Sequence, residues 1–339
     1  MKFAKSRWVS ISSGPPGTTK KTGPLPVFCC PEQRECGVPS DNGRRYRGRF
    51  APSPTGPLHF GSLVAAVGSF LDARAHGGEW LIRVEDLDRP REVAGATQDI
   101  LRTLDAFGLH ADSETVYQHQ RGELYQQALE QLEAMGHVYP CACSRRDIQR
   151  LADAGDKPGI YPGTCRNGLP PGRPARSVRL RVPERAVRFH DRLQGGFDEW
   201  LPQSCGDFVL KRADGFFAYQ LAVVVDDAAQ GITDVVRGAD LLDSTARQIL
   251  LHQLLGQPLP RYLHLPVAAN RQGEKLSKQT GAAPVDAGRP VETLWAVLEF
   301  LGQSPPQGLR SAGLAEFWRW AIANWDARHL PPRRLIKQH

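Results

Sequence analysis

The chain has 339 residues, 41% hydrophobic, 23% charged and 8% aromatic, a composition that gives an ordinary globular protein room for two or three cores and excludes collagen-like and largely disordered classes. Its longest apolar runs, such as Leu221–Val225, fall far short of the ~18 residues of a bilayer helix, and the N-terminus lacks the apolar core of a secretory signal, so no membrane partner and a cytoplasmic location are expected. The net charge of +7 rests on 34 Arg against 9 Lys, and arginine suits two-pronged phosphate contacts, although genomic base composition can produce the same bias.

Residues 1–43 mix Gly, Pro, Ser, Thr and Lys without a sustained period and read as an irregular extension. Gly14-Pro-Pro-Gly-Thr-Thr-Lys20 imitates a phosphate loop, but Thr19, Lys21 and Gly23-Pro24 stand where such a loop needs Gly, Ser or Thr and a helix. Tyr46–Ala51 predicts a short strand, Pro52–His59 a loop and Phe60–His76 a helix stopped by Gly77-Gly78. Trp80–Val84 is a buried-type strand, Glu85–Arg91 a polar loop, and Thr97–Phe107 and 122–135 are helices. This alternation predicts a parallel α/β sheet, with 44–139 as its first half. From 140 to 205 paired Cys, many Pro and Gly, and short alternating runs such as Ser177–Val182 indicate an inserted small α+β domain. The α/β pattern resumes with Phe208–Leu210, Tyr219–Val225 and Ile232–Val236, followed by a helix Leu241–Leu255, and 206–283 is the expected second half. Helices near 291–301 and 313–329 make a short helical region, 284–339.

Two separated segments carry chemistry. Arg49-Phe-Ala-Pro-Ser-Pro-Thr-Gly-Pro-Leu-His-Phe-Gly-Ser62 is a strand end, a Pro-restrained loop and a helix start with one histidine. A helix N-terminus offers N–H groups and positive potential, Gly61 admits a base or phosphate to the backbone, and His59 can donate to phosphate oxygens. Alone, the segment reads more readily as a tight turn between strand and helix. Gly273-Glu-Lys-Leu-Ser-Lys-Gln279 is a polar loop whose two lysines can reach a polyphosphate, or a solvated basic loop.

In this order, on two halves of a split sheet, they resemble the two signature motifs of class I aminoacyl-tRNA synthetases. His59-Phe-Gly-Ser62 resembles the "HIGH" element and Lys275-Leu-Ser-Lys-Gln279 the "KMSKS" loop, with Ser62, Leu276 and Gln279 departing from the common pattern. The run from Arg49 to His59 is similar to the glutamate branch of that class, as are Arg83-Val-Glu-Asp-Leu-Asp88, Tyr219-Gln-Leu-Ala222, Val224-Val-Asp-Asp227 and 231–242. The resemblance implies a Rossmann-type parallel sheet split by an insertion, and ATP-dependent activation of L-glutamate with Mg2+ on the phosphates. It implies His59, Lys275 and Lys278 as catalytic residues and His59, Gly61, Ser62 and Lys278 as ATP-binding. Glutamate brings two carboxylates and an ammonium that must all lose water. Arg49 and Arg237 can each offer a planar fork, Ser53 and Tyr219 hydroxyls, and Glu85 a counter-charge. The resemblance implies the same five as the glutamate-binding residues.

Seven cysteines, at 29, 30, 36, 141, 143, 165 and 205, are too few and too scattered for a disulfide scaffold. Cys141-x-Cys143 with Tyr161-x3-Cys165 could wrap a tetrahedral Zn2+, with Tyr161 or a water as fourth ligand, and the residues alone leave a zinc site and buried free cysteines equally open. The resemblance implies the former: one structural zinc in the insertion, held by Cys141, Cys143, Tyr161 and Cys165. His110, His119 and His137 show no ligand spacing and read as surface histidines.

Only 60 residues follow Gln279, less than a typical domain of ~100–150, so no separate anticodon-reading domain is expected there. The resemblance then implies a truncated branch that activates glutamate without tRNA and transfers it to queuosine at the wobble position of tRNA(Asp), acting as a monomer on the anticodon stem-loop. Two alternatives are a truncated glutamyl-tRNA synthetase charging a tRNA 3′ end and a catalytically silent RNA-binding relative.

Overall fold

The computed structural model describes residues 43–153, 160–276 and 282–337. The extension through residue 42, with the loop imitator and Cys29, Cys30 and Cys36, lies outside the described residues, as do Lys278 and Gln279. The first half runs β1 (Arg47–Phe50), α1 (Phe60–Ala75), β2 (Glu79–Val84), α2 (Ala96–Ala106), β3 (Val116–Tyr117) and α3 (Gly122–Ala134). Next come β4 (Val138–Cys141), α4 (Arg145–Asp153), β5 (Ser177–Leu180), the pair β6 (Ala186–Asp191) and β7 (Gly195–Trp200), α5 (Leu201–Ser204) and β8 (Val209–Lys211). The chain continues with α6 (Tyr219–Ala229), β9 (Asp234–Gly238), α7 (Leu242–Leu254), β10 (Arg261–Leu265), β11 (Val267–Ala269), α8 (Pro290–Phe300), α9 (Leu314–Asn324) and β12 (Leu335–Lys337).

Strands β1, β2 and β3 pair in parallel, as do β9 and β10. The halves meet where Thr233 N–H donates to the Arg47 carbonyl at 2.9 Å, just before β9. Parallel strands buried on both faces need apolar cover on each side. One core lies around α1, with Leu63, Val67, Leu71, Trp80 and Phe107, and the other around α3, α6 and α7, with Leu129, Leu221, Val224 and Leu250. Helix α1 lies close on the sheet because position 68 is glycine: a Cβ there would sit 2.5 Å from Leu265 Cδ1. Helices α8 and α9 back the same side, where Phe300 meets Phe60 edge to face and Trp318 Nε1 donates to the Phe107 carbonyl at 2.9 Å. Among the described residues no helix is long and apolar enough to cross a membrane.

Two elements differ from the sequence pattern. Tyr219–Val225 begins a helix whose apolar residues are buried on nearly all sides, and so short an apolar run does not distinguish strand from buried helix. Phe208–Leu210 leads into β8, which pairs antiparallel with β5 beside β4 rather than joining the parallel sheet. The β6–β7 hairpin instead meets the parallel sheet's edge, at Asp191 opposite Tyr262 of β10.

Candidate active site

The carboxyl ends of β1, β2 and β9 open on a cavity of about 660 Å³, the position where open parallel sheets bind ligands. Arg49, Ser53, His59, Gly61, Ser62, Glu85, Tyr219, Arg237 and Lys275 all line it, although they span more than two hundred positions of sequence. His59 is the N-cap of α1, with extended backbone (φ −112°, ψ 171°). Its Nδ1 accepts from the Ser62 N–H at 3.3 Å, and its Nε2 lies 3.1 Å from Ser62 Oγ. The imidazole is thus turned across the first turn of the helix, where the helix dipole favours anions. Gly61 leaves room for that arrangement: a Cβ would lie 3.2 Å from His59 Cε1 and 3.6 Å from the Leu276 carbonyl oxygen. The described part of the lysine loop, through Leu276, therefore lies against the same helix end. It is tethered by Leu276 N–H to the Ala268 carbonyl at 2.8 Å and by an ion pair of 2.6 Å between Lys275 Nζ and Asp240.

The buried charges nearly cancel. Arg49 spends Nε and Nη2 on Asp227 (3.0 and 3.3 Å), and its Nη1 has no hydrogen bond to a described residue. Arg83, fully buried in β2, donates to Asp227 at 2.7 Å and to Glu85 at 3.3 Å. Asp226 is occupied by Gln118, Arg121 and Tyr125. Burial pushes the Asp227 carboxyl up, but Arg49 and Arg83 outweigh it and hold it well below the usual range. For Glu85 burial wins over the same two arginines, and its carboxyl titrates above the usual range. Burial also raises the Tyr219 phenol, keeping it a donor.

Arg237 is the exception. It is 4% exposed, and its described partners are all neutral: His264 Nε2 (3.0 Å), Gln248 Oε1 (2.8 Å), Thr245 Oγ1 (2.8 Å) and the Leu241 carbonyl (3.4 Å). A desolvated guanidinium without a carboxylate is costly in an empty site and becomes matched when an anion enters. Two arginines and two carboxylates around Asp227 balance, so the amino-acid end of the cavity carries one positive charge.

Arg83, Asp191, Asp227, Asp240, Gln248 and His264 complete this arrangement and were not among the sequence candidates. Arg83 had a usable signal, an arginine inside the apolar strand Trp80–Val84, and Asp227 lay in a family-like segment. His119 is exposed, as expected, although its backbone N–H and Nδ1 both contact Asp86. His110 is exposed, as expected.

Away from the cavity, Cys141, Cys143 and Cys165 are buried with their sulfurs within 4.8 Å of one another. Tyr161 Oη lies 3.4 Å from Cys141 Sγ and 3.7 Å from Cys143 Sγ, Cys143 and Cys165 are 3.7 Å apart, and the Cys165 N–H donates to Tyr161 Oη at 2.9 Å. Burial raises the Cys141 thiol, but hydrogen bonds with Tyr161 and Arg179 outweigh it and bring it down to about 7. Burial pushes Cys143 up to about 11.

A split parallel sheet with a histidine-capped helix end and a lysine loop at one cavity is the arrangement of a class I tRNA synthetase. Residues 45–306 match the family of tRNA synthetases class I (E and Q), catalytic domain, and the chain belongs to that family of ligases. Among curated proteins it is 59% identical over 286 residues, 84% of this chain and 90% of the relative, to the glutamyl-Q tRNA(Asp) synthetase of Aromatoleum aromaticum. It is 58% identical over 293 residues, 86% of this chain and 97% of the relative, to that of Dechloromonas aromatica. A solved glutamate tRNA ligase from Elizabethkingia meningosepticum, in complex with its amino acid, is similar at 26% identity and a TM-score of 0.72, over 85% of this chain. The chain spans 66% of that ligase's length.

Proposed function

We propose that this chain activates L-glutamate with ATP in the absence of tRNA and then transfers the glutamyl group to queuosine at the wobble position of tRNA(Asp). The names of its closely similar relatives support the acceptor. The observation that carries the amino-acid half is Arg237, a buried cation with only neutral described partners. Glutamate, with two carboxylates and one ammonium, brings the single negative charge this end of the cavity lacks. Arg237 and the remaining edge of Arg49 take the carboxylates, Tyr219 and Ser53 add hydroxyls, and Glu85 faces the ammonium.

In the reaction an oxygen of the glutamate α-carboxylate attacks the α-phosphorus of ATP in line and pyrophosphate leaves, so the protein's task is positioning and charge stabilisation. The N-terminus of α1 with His59, Gly61 and Ser62 holds phosphate oxygens. Lys275 leaves Asp240 to close with Lys278 over the departing pyrophosphate. Mg2+ carried with ATP supplies further charge neutralisation on the phosphates.

The cysteine cluster is read as a structural zinc site in the acceptor-binding insertion, 140–205. Tetrahedral Zn2+ with bonds of ~2.3 Å to sulfur and ~2.0–2.2 Å to oxygen requires S–S edges of about 3.8 Å and S–O edges of about 3.5–3.7 Å. The Cys143–Cys165 spacing of 3.7 Å and the Tyr161 distances of 3.4 and 3.7 Å fit, with Tyr161 as the fourth ligand. Arg179, 3.3 Å from Cys141 Sγ, would offset the surplus negative charge. In this reading 44–139 and 206–283 are the catalytic halves, 284–339 is a helical region backing α1, 1–43 is an extension, and the enzyme works as a cytoplasmic monomer on the anticodon stem-loop. Glutamate-dependent ATP–pyrophosphate exchange without any RNA tests the first half-reaction; no exchange in folded protein overturns it.

A further inference from the structure

Behind the cavity wall, a buried chain of three residues leads from a carboxylate to Arg237. Asp191, at the end of β6, and His264, in β10, are both fully buried. His264 stands directly opposite Arg237 in the parallel β9–β10 register. Asp191 Oδ2 lies 2.6 Å from His264 Nδ1, and its Oδ1 accepts the backbone N–H groups of Leu193, Gln194 and His264 at 3.0, 2.8 and 3.2 Å. On the far side His264 Nε2 lies 3.0 Å from Arg237 Nε.

The chemistry of the donors fixes the tautomer. A guanidinium Nε–H can only donate, so Nε2 must be the acceptor and the imidazole proton must sit on Nδ1, toward Asp191. We infer that His264, with its tautomer set by Asp191, is the positioning residue that orients Arg237 for the substrate carboxylate while leaving the guanidinium's charge uncompensated. A carboxylate in direct contact with Arg237 would orient it equally well but would cancel the charge the substrate needs. Interposing a neutral imidazole separates the two tasks. The consequence is selectivity: an uncancelled guanidinium favours a carboxylate over the amide of glutamine, and a loosened one does not.

Asp191→Asn keeps the shape but reverses the donor. Its Oδ1 still serves the three backbone N–H groups, so its amide nitrogen donates to Nδ1, the proton moves to Nε2, and two N–H groups oppose each other at Arg237. The glutamate KM is expected to rise about 10- to 100-fold with the ATP KM unchanged, and the preference for glutamate over glutamine to fall, as for a buried donor left without an acceptor. His264→Gln and His264→Leu serve as a second pair of similar size, of which only Gln can accept from Arg237 Nε; Gln should retain most of the glutamate affinity and Leu should lose it. Equal glutamate KM values for folded Gln and Leu variants would overturn the assignment. So would an Nε2–H tautomer for His264 in the long-range 1H–15N spectrum of the wild type. The inference rests on the glutamate reading above, and the two fail separately. Absent wild-type exchange sinks that reading, and the tautomer spectrum then decides the relay alone.

Discussion

Replacing Arg237 by Gln removes the one cavity cation whose described partners are all neutral. Arg49 and Arg83 cannot take over, because Asp227 and Glu85 already match them at 2.7–3.3 Å. The substrate carboxylate would then lie in a dry site without a counter-charge, a loss of about 3–5 kcal/mol for a buried pair deprived of one member. At 1.36 kcal/mol per tenfold, kcat/KM for glutamate in pyrophosphate exchange should fall by roughly 100- to 1,000-fold or more. The KM for ATP should stay near wild type, since His59, Gly61, Ser62 and the lysines are untouched. Circular dichroism and thermal unfolding establish that the variant is folded. A folded Arg237→Gln protein within about fivefold of wild type at subsaturating glutamate would refute the charge accounting on which the amino-acid pocket rests.

Replacing Lys278 by Ala should leave the fold intact and lower adenylate formation by roughly 100-fold or more, as expected for one preorganised charge contact to a developing anion; exchange within a few-fold of wild type would remove the lysine loop from the ATP site. Protein purified without added metal should contain one zinc per chain by elemental analysis. Cys141→Ser with Cys143→Ser should lose it and make the 140–205 segment sensitive to protease, because ligand binding energy is also folding energy. Glu85 titrates above the usual carboxylate range because burial outweighs Arg83 and Arg49, and its charged form is the one that faces the ammonium. The glutamate KM should therefore rise as pH falls through that raised pKa, and Glu85→Gln should bind weakly at all pH values without this limb. An unchanged acid limb in the Gln variant would take Glu85 out of the pocket.

The sequence was most legible where one residue type answers one physical need. Glycines and prolines bracketed α1, the Trp80–Val84 run could only be a buried strand, and the nine described candidates for the two substrates do converge on one cavity. Legibility failed where a residue acts through a partner distant in the chain. Nothing local distinguishes Asp191 from any other strand-end aspartate, or His264 from a core histidine, because the strand register that joins them to Arg237 is a tertiary fact. Arg49 and Arg237 were expected to present open forks, yet Nε and Nη2 of Arg49 and all three guanidinium nitrogens of Arg237 donate within the protein. Composition cannot show this, since the partners come from α6, α7 and β10. The helix over Tyr219–Ala229 and the placement of β8 beside β5 were missed for a related reason. A short apolar run fixes burial but not the element that delivers it.

The central claim is the acceptor, and the most direct measurement offers the protein two RNAs with radiolabelled glutamate, ATP and Mg2+. One is a short anticodon hairpin of tRNA(Asp) carrying queuosine, the other the same hairpin with guanosine in its place. Single-stranded loops present unstacked bases that proteins can read by stacking and edge contacts. The queuosine hairpin should be labelled nearly as well as whole tRNA(Asp), less so as salt rises, and the guanosine hairpin not at all. If instead tRNA(Glu) is labelled at its 3′ end while the queuosine hairpin stays blank, the chain is a truncated glutamyl-tRNA synthetase and the proposed acceptor is wrong.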